Sequence, residues 1–138
     1  MLRFHRLATA AAIFGLVSFI SIEARATDID MDIAVLRALD KVSARVVVVK
    51  APVGRPVTFG RLGIVARRCV TRPPEEPPES AAFLEIDETA QGGARKPLYK
   101  GWMFASSPDL SAMEDPVYDV WVLACESSAS SASGSSGP

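Results

Sequence analysis

Apolar and polar positions in this chain alternate in short runs, and glycine and proline punctuate the runs. Val42 to Lys50 holds four consecutive valines and is closed by Pro52 and Gly54, which reads as a strand. Arg55 to Phe59 reads as a second, short strand, with Pro56 tolerable near its start or at an edge. Gly60-Arg61 predicts a tight turn into a third strand, Leu62 to Val70. Ala81 to Glu88 follows, with Ala82, Leu84 and Ile86 on one face and Phe83, Glu85 and Asp87 on the other. Gln91-Gly92-Gly93 predicts the hairpin turn into Leu98 to Phe104. There Trp102 and Phe104 share one face, and Tyr99 and Met103 the other. The last strand, Val117 to Cys125, is apolar on both faces, which predicts a central position.

Two stretches read as helical. Asp28, Asp30 and Asp32 precede an apolar run holding Ile33, Leu36 and Leu39, and Arg37 and Lys41 follow. Acid at the start and base at the end suit a helix capped at Asp32. The same aspartates resemble the opening of a calcium loop, but the glycine and the closing glutamate are missing. Ser107 before Pro108 predicts a short helical turn through Met113, ending before Pro116. The expected fold is all-β: a small single-domain β-sandwich or barrel of about six to seven strands, with a short N-terminal helix.

The ends of the chain do not belong to that domain. Arg3, His5 and Arg6 precede sixteen uncharged residues, Leu7 to Ile22, and Ala24-Arg25-Ala26 offers small residues at a cleavage site. This is the pattern of an export signal over residues 1–26, and it is short for a membrane span. A cleaved leader leaves no transmembrane segment; a retained one is an anchor. Residues 27–126 form the expected β-domain, and the Ser/Ala/Gly-rich 127–138 an expected disordered tail. Losing Arg3, Arg6, Arg25 and Glu23 takes the formal net charge from −1 to −3, which offers nothing to nucleic acid.

Cys69 and Cys125 are the two cysteines of an exported chain. An oxidising compartment favours a structural disulfide between them. A redox pair lacks the Cys-x-x-Cys spacing, and two buried free thiols are the third reading. Arg67 shares parity with Cys69, and Asp119 with Cys125, so an inward Arg67 is expected to pair with Asp119 unless a bulge shifts the register.

The single histidine, His5, lies in the leader, so His-based catalysis and most zinc sites are excluded beyond it. There is no phosphate loop and no cofactor motif. The carboxylates Asp109, Glu114, Asp115 and Asp119 read as solvated or structural before catalytic, and no enzyme is expected. Two loops are candidate contact surfaces. One is Pro73, Pro74, Glu75, Glu76, Pro77 and Pro78, expected as stiff polyproline II, either a docking loop or a rigid crossover between sheets. The other runs from Ser106 to Pro116. Trp102, Tyr118, Asp119 and Trp121 are the candidate carbohydrate platform, with core packing as the alternative.

Four stretches carry a family likeness: Leu39-Asp-Lys-Val-Ser-Ala-Arg45, Arg72-Pro-Pro-Glu-Glu-Pro-Pro-Glu-Ser80, Gly101-Trp-Met-Phe-Ala-Ser-Ser-Pro108 and Pro116-Val-Tyr-Asp-Val-Trp-Val122. With them the chain resembles domain-of-unknown-function family 2155, small exported proteins of Gram-negative bacteria, from about Asp32 to Cys125. The resemblance implies a periplasmic or envelope setting and brings no catalytic residues. The expected function is non-enzymatic docking to another envelope component, an unidentified envelope protein. The alternative is a module for cell-wall glycan or another carbohydrate.

Overall fold

A computed structural model describes residues 27–129. The expected leader, residues 1–26, and most of the expected disordered tail lie outside the described residues. Eight strands run in order: β1 (Ile29–Met31), β2 (Ile33–Asp40), β3 (Arg45–Pro52), β4 (Pro56–Phe59), β5 (Leu62–Thr71), β6 (Ser80–Thr89), β7 (Arg95–Phe104) and β8 (Tyr118–Glu126). A 3-10 turn, Pro108–Ser111, lies between the last two. Every pairing is antiparallel.

Two sheets form a sandwich. One has the order β1-β5-β6-β7, with β4 beside β1 on the same edge of β5; the other has the order β3-β2-β8. The core lies between them. Leu62, Ile64, Ala66, Ala82, Leu84, Ile86 and Met103 come from the larger sheet, and Leu36, Ala38, Ala51, Tyr118, Val120 and Val122 from the smaller. Leu36, Leu62, Ile64, Leu84 and Val122 are fully buried, so truncating one to alanine costs about 2–5 kcal/mol.

The expected N-terminal helix is absent among the described residues. Its stretch is β1, a bend at Asp32, and β2. Pairing decides this: β2 is the central strand of its sheet, bonded to β3 and β8 along all eight of its residues. Ala34, Val35 and Leu36 are consecutive and all buried, which a strand flanked on both sides accommodates. Asp32 does not cap a helix. It accepts hydrogen bonds from the backbone N–H and the hydroxyl of Ser128. Asp30 pairs with Arg68 at 2.7 Å.

Four further expectations change. β8 stands at a sheet edge, not at the centre. The helical turn covers only four residues, and the Ser107 side chain makes no cap hydrogen bond. The Pro/Glu segment joins neighbouring antiparallel strands of one sheet, β5 and β6, instead of crossing between sheets. It also bends, since Glu76 donates its N–H to the carbonyl of Pro73 at 3.0 Å, so it is not a straight polyproline rod.

The fourth change concerns register. Between Ala66 and Arg68 the ladder to β6 skips Arg67, and between Val122 and Ala124 the ladder to β2 skips Leu123. Each skip is a β-bulge, and each reverses the alternation beyond it. Arg67 therefore points outward and pairs with Glu85 at 2.7 Å, not with Asp119. Asp119 pairs with Lys41 at 2.9 Å. Cys69 and Cys125 both turn inward and are joined in a disulfide with Cα atoms 5.7 Å apart.

Candidate functional site

The sandwich leaves an apolar surface on the outside of its smaller sheet. Ala34, Leu36 and Ala38 point into the core, so Val35, Arg37 and Leu39 point out. Register then sets three rows across the sheet. Val46, Leu39 and Asp119 form the first, Val48, Arg37 and Trp121 the second, Lys50, Val35 and Ala124 the third. Val46 is 54 % exposed and Val48 56 %. Val42, at the tip of the β2–β3 hairpin, is 80 % exposed.

Charge on this face is uneven. Lys41 is held by Asp119, and Lys50 by Glu126 at 2.8 Å. Arg37 has no ion pair or side-chain hydrogen bond among the described residues. It stands between Val48 and Trp121 in the middle row.

Past β8 the face continues into a groove of about 420 Å³. Asp119, Val120 and Trp121 form one side, and Pro108, Asp109, Ala112 and Met113 the other. Met113 is buried in the core cluster, so the loop is pinned between the sheets by one long, adaptable side chain. Leu110, on the same loop, is 76 % exposed. Lys41 also donates to the carbonyl of Asp115 at 2.7 Å, and the Asp115 carboxylate accepts the N–H groups of Val117 and Tyr118. The entry into β8, and with it the Asp119 and Trp121 side of the groove, is thus fixed by local bonds.

The candidate carbohydrate residues do not share one surface. Trp121 and Asp119 line the groove. Tyr118 is buried on the opposite face of β8, edge-on to Phe59 with ring centroids 5.9 Å apart. Trp102 lies on the outside of the larger sheet, edge-on to Phe83 at 5.7 Å, beside a shallow cleft lined by Asp28, Arg68, Val70, Ala81 and Phe104. Both tryptophans are half-buried.

The two candidate loops meet at one point. Glu79, at the end of the Pro/Glu segment, accepts the N–H of Ser106 at 3.1 Å, the hydroxyl of Ser106, and the N–H of Ser80 at 3.0 Å. Burial pushes the Glu79 carboxyl up, but these bonds and the nearby Arg72 outweigh it and hold it below the usual range. The ridge beyond stays exposed at Pro74, Glu75, Pro77 and Pro78, while Pro73 and Glu76 are half-buried.

Sequence reasoning missed Arg37, Val46 and Val48 as surface residues. The four-valine run offered a signal, since an alternating strand with valine on both sides leaves one set outside unless a layer covers it. No curated protein and no solved structure matches the chain. The model of a family described as uncharacterized protein conserved in bacteria, domain of unknown function 2155, matches residues 34–125, which takes in most of the sandwich, both cysteines and all three rows of the outer face. The chain belongs to that family.

Proposed function

We propose that the chain is an exported, non-catalytic docking domain of the cell envelope, and that it docks through the outer face of its smaller sheet. One observation carries this reading: exposed Val46 and Val48 share the outer face with Arg37, which has no ion pair or side-chain hydrogen bond among the described residues. Contiguous apolar surface of this kind marks interaction sites in soluble proteins. The partner that fits is a protein surface with apolar side chains for the valines and Trp121 and a carboxylate for Arg37. Export draws on the leader pattern of residues 1–26, and the disulfide is compatible with an oxidising compartment. The non-catalytic part draws on a chain without histidine after His5.

A second reading has its own support. The groove sets Trp121 beside Asp109 and Asp119, an aromatic face with flanking acceptors that suits a sugar ring. Sacculi and solubilised envelope proteins, offered in parallel to the oxidised chain, separate the two. The docking reading expects one stoichiometric protein that is lost with Arg37→Glu and kept with Trp102→Ala. Sedimentation with sacculi that Trp121→Ala abolishes makes the glycan reading the better one. A captured protein indifferent to every change on the outer face overturns the assigned surface.

A further inference from the structure

We infer that the free edge of β3 accepts an extended segment of the docking partner as an added strand, and that this segment combines apolar residues with carboxylates placed for Arg45 and Arg37. The inference rests on the docking reading and specifies how the partner is held.

β3 bonds to β2 along all eight residues on one side. On the other side the sandwich closes only after Pro52, where Gly54 donates to the Ala66 carbonyl at 2.8 Å. From Arg45 to Val49 no described strand pairs with the outer edge. An open edge presents a row of backbone donors and acceptors that template another strand.

Other edges in this domain are managed. The loop through the 3-10 turn lies between β7 and β8 and buries Met113 there. β1 and β4 are three and four residues long. The β5–β6, β6–β7 and β2–β8 ladders each contain a bulge. The β2–β3 ladder has none. Between Arg45 and Val49 there is no proline, no glycine and no charge other than Arg45 itself. A straight, valine-rich edge without these protections is an association hazard unless something covers it. Strand addition supplies the cover: main-chain bonds hold the segment, and alternate side chains select it.

Charge selects the occupant. Beyond residue 26 the chain is net acidic, yet Arg45 on this edge and Arg37 in the neighbouring β2 are cations without an ion pair among the described residues. Arg37 has no partner among the described residues, and Arg45 feels only a weak attraction to Asp40, whose carboxylate already accepts the N–H groups of Val42 and Ser43. A second copy brings the same cations, and on this face its Asp119 and Glu126 are already engaged by lysines. A strand with its own carboxylates removes the imbalance.

The test selects random ten-residue peptides, displayed on phage, against the full oxidised chain produced with its own leader, then follows amide exchange of the labelled chain by NMR. Enriched peptides are expected to combine apolar with acidic residues and to slow exchange of alternate amides between Arg45 and Val49 more than tenfold. Arg45→Glu is expected to weaken them at least tenfold with the melting temperature unchanged. Peptides that need Arg37 but leave β3 exchange unaltered overturn strand addition while the docking surface stands. A free chain that sediments as a dimer, with β3 amides already protected, gives the edge to a second copy and overturns the proposal. So does an absence of enrichment over empty phage, or binding to phosphatidylglycerol vesicles in place of any peptide.

Discussion

Cys69 and Cys125 face each other because each sits two positions beyond an unpaired residue, Arg67 in β5 and Leu123 in β8. Without those bulges simple alternation puts Cys69 opposite in phase to Ala66, and Cys125 opposite in phase to Val122, both on the outside. With them, both sulfurs enter the core between Ala82 and Ala34, the residues their strands pair with. The bond then links the two sheets across a sequence separation of 56.

Opening that bond is expected to be costly. A chain-entropy account gives about 4 kcal/mol for a loop of this size. Urea unfolding of the oxidised chain against the Cys69→Ala/Cys125→Ala double variant measures it. A difference well under 1 kcal/mol would mean that the sandwich closes itself and the bond is incidental.

Most of the strand content was legible, because turns are written in residue chemistry. Gly60-Arg61 and Gln91-Gly92-Gly93 stand at the turns they predict, with Gly60, Gly92 and Gly93 at positive φ. The phase of β6 and β7 was legible too, with Leu84, Ile86 and Met103 inside and Phe83 and Trp102 outside. Three matters were not. The β2 stretch satisfies both a helical stripe and a doubly covered strand, and only its partners β3 and β8 decide between them. Bulges are set by the ladder they interrupt, so parity across Arg67 gave the wrong partner. Edge or centre is a property of the sheet: β8, apolar on both faces, looked central and stands at one edge, and β3 stands at the other, which is why the surface around Arg37 went unseen.

The Asp119 partner offers a direct check on that parity error. A double-mutant cycle between Lys41→Ala and Asp119→Ala is expected to return about 0.5 kcal/mol, ordinary for a half-exposed pair. The cycle between Arg67→Ala and Asp119→Ala is expected to return none. Coupling in the second and not the first would restore the unbulged register.

Gly60 and Tyr118 make a sharper prediction. Gly60 has φ +56°, and a Cβ there lies 2.7 Å from the Tyr118 hydroxyl and 3.1 Å from its ring. Gly92 also has positive φ, but open space around it. Gly92→Ala carries backbone strain alone, about 1 kcal/mol. Gly60→Ala adds a collision with a buried ring that also accepts the Arg61 N–H at 3.4 Å, and about 2–4 kcal/mol is expected. Adding Tyr118→Phe removes the closest contact and is expected to recover part of the loss. Equal melting temperatures for the two alanine variants would show that Tyr118 yields freely.

Acid is expected to loosen the domain through a set of carboxylates that all sit below their usual range. Arg68 lowers Asp30, Ser128 lowers Asp32, Ser43 lowers Asp40 and Arg67 lowers Glu85, each first by a hydrogen bond. A carboxyl whose folded pKa is depressed binds protons more weakly than in the unfolded chain. Its contribution is complete above the unfolded value, about 4.3 for glutamate, and disappears as pH falls through the lower folded value. Glu79 is the member that joins two loops, because it holds Ser106 as well as Ser80. Ser106→Ala removes one donor and brings the Glu79 carboxyl closer to its ordinary value, so the variant should be weaker at neutral pH, by about 1 kcal/mol after solvent screening. Its stability should then change less between pH 6 and pH 3 than that of the parent. Unfolding midpoints across that range test the sign: a Ser106→Ala acid limb as steep as the parent's would mean that the Ser106 hydroxyl does not hold the proton equilibrium of Glu79, and that the loops are tied by backbone alone.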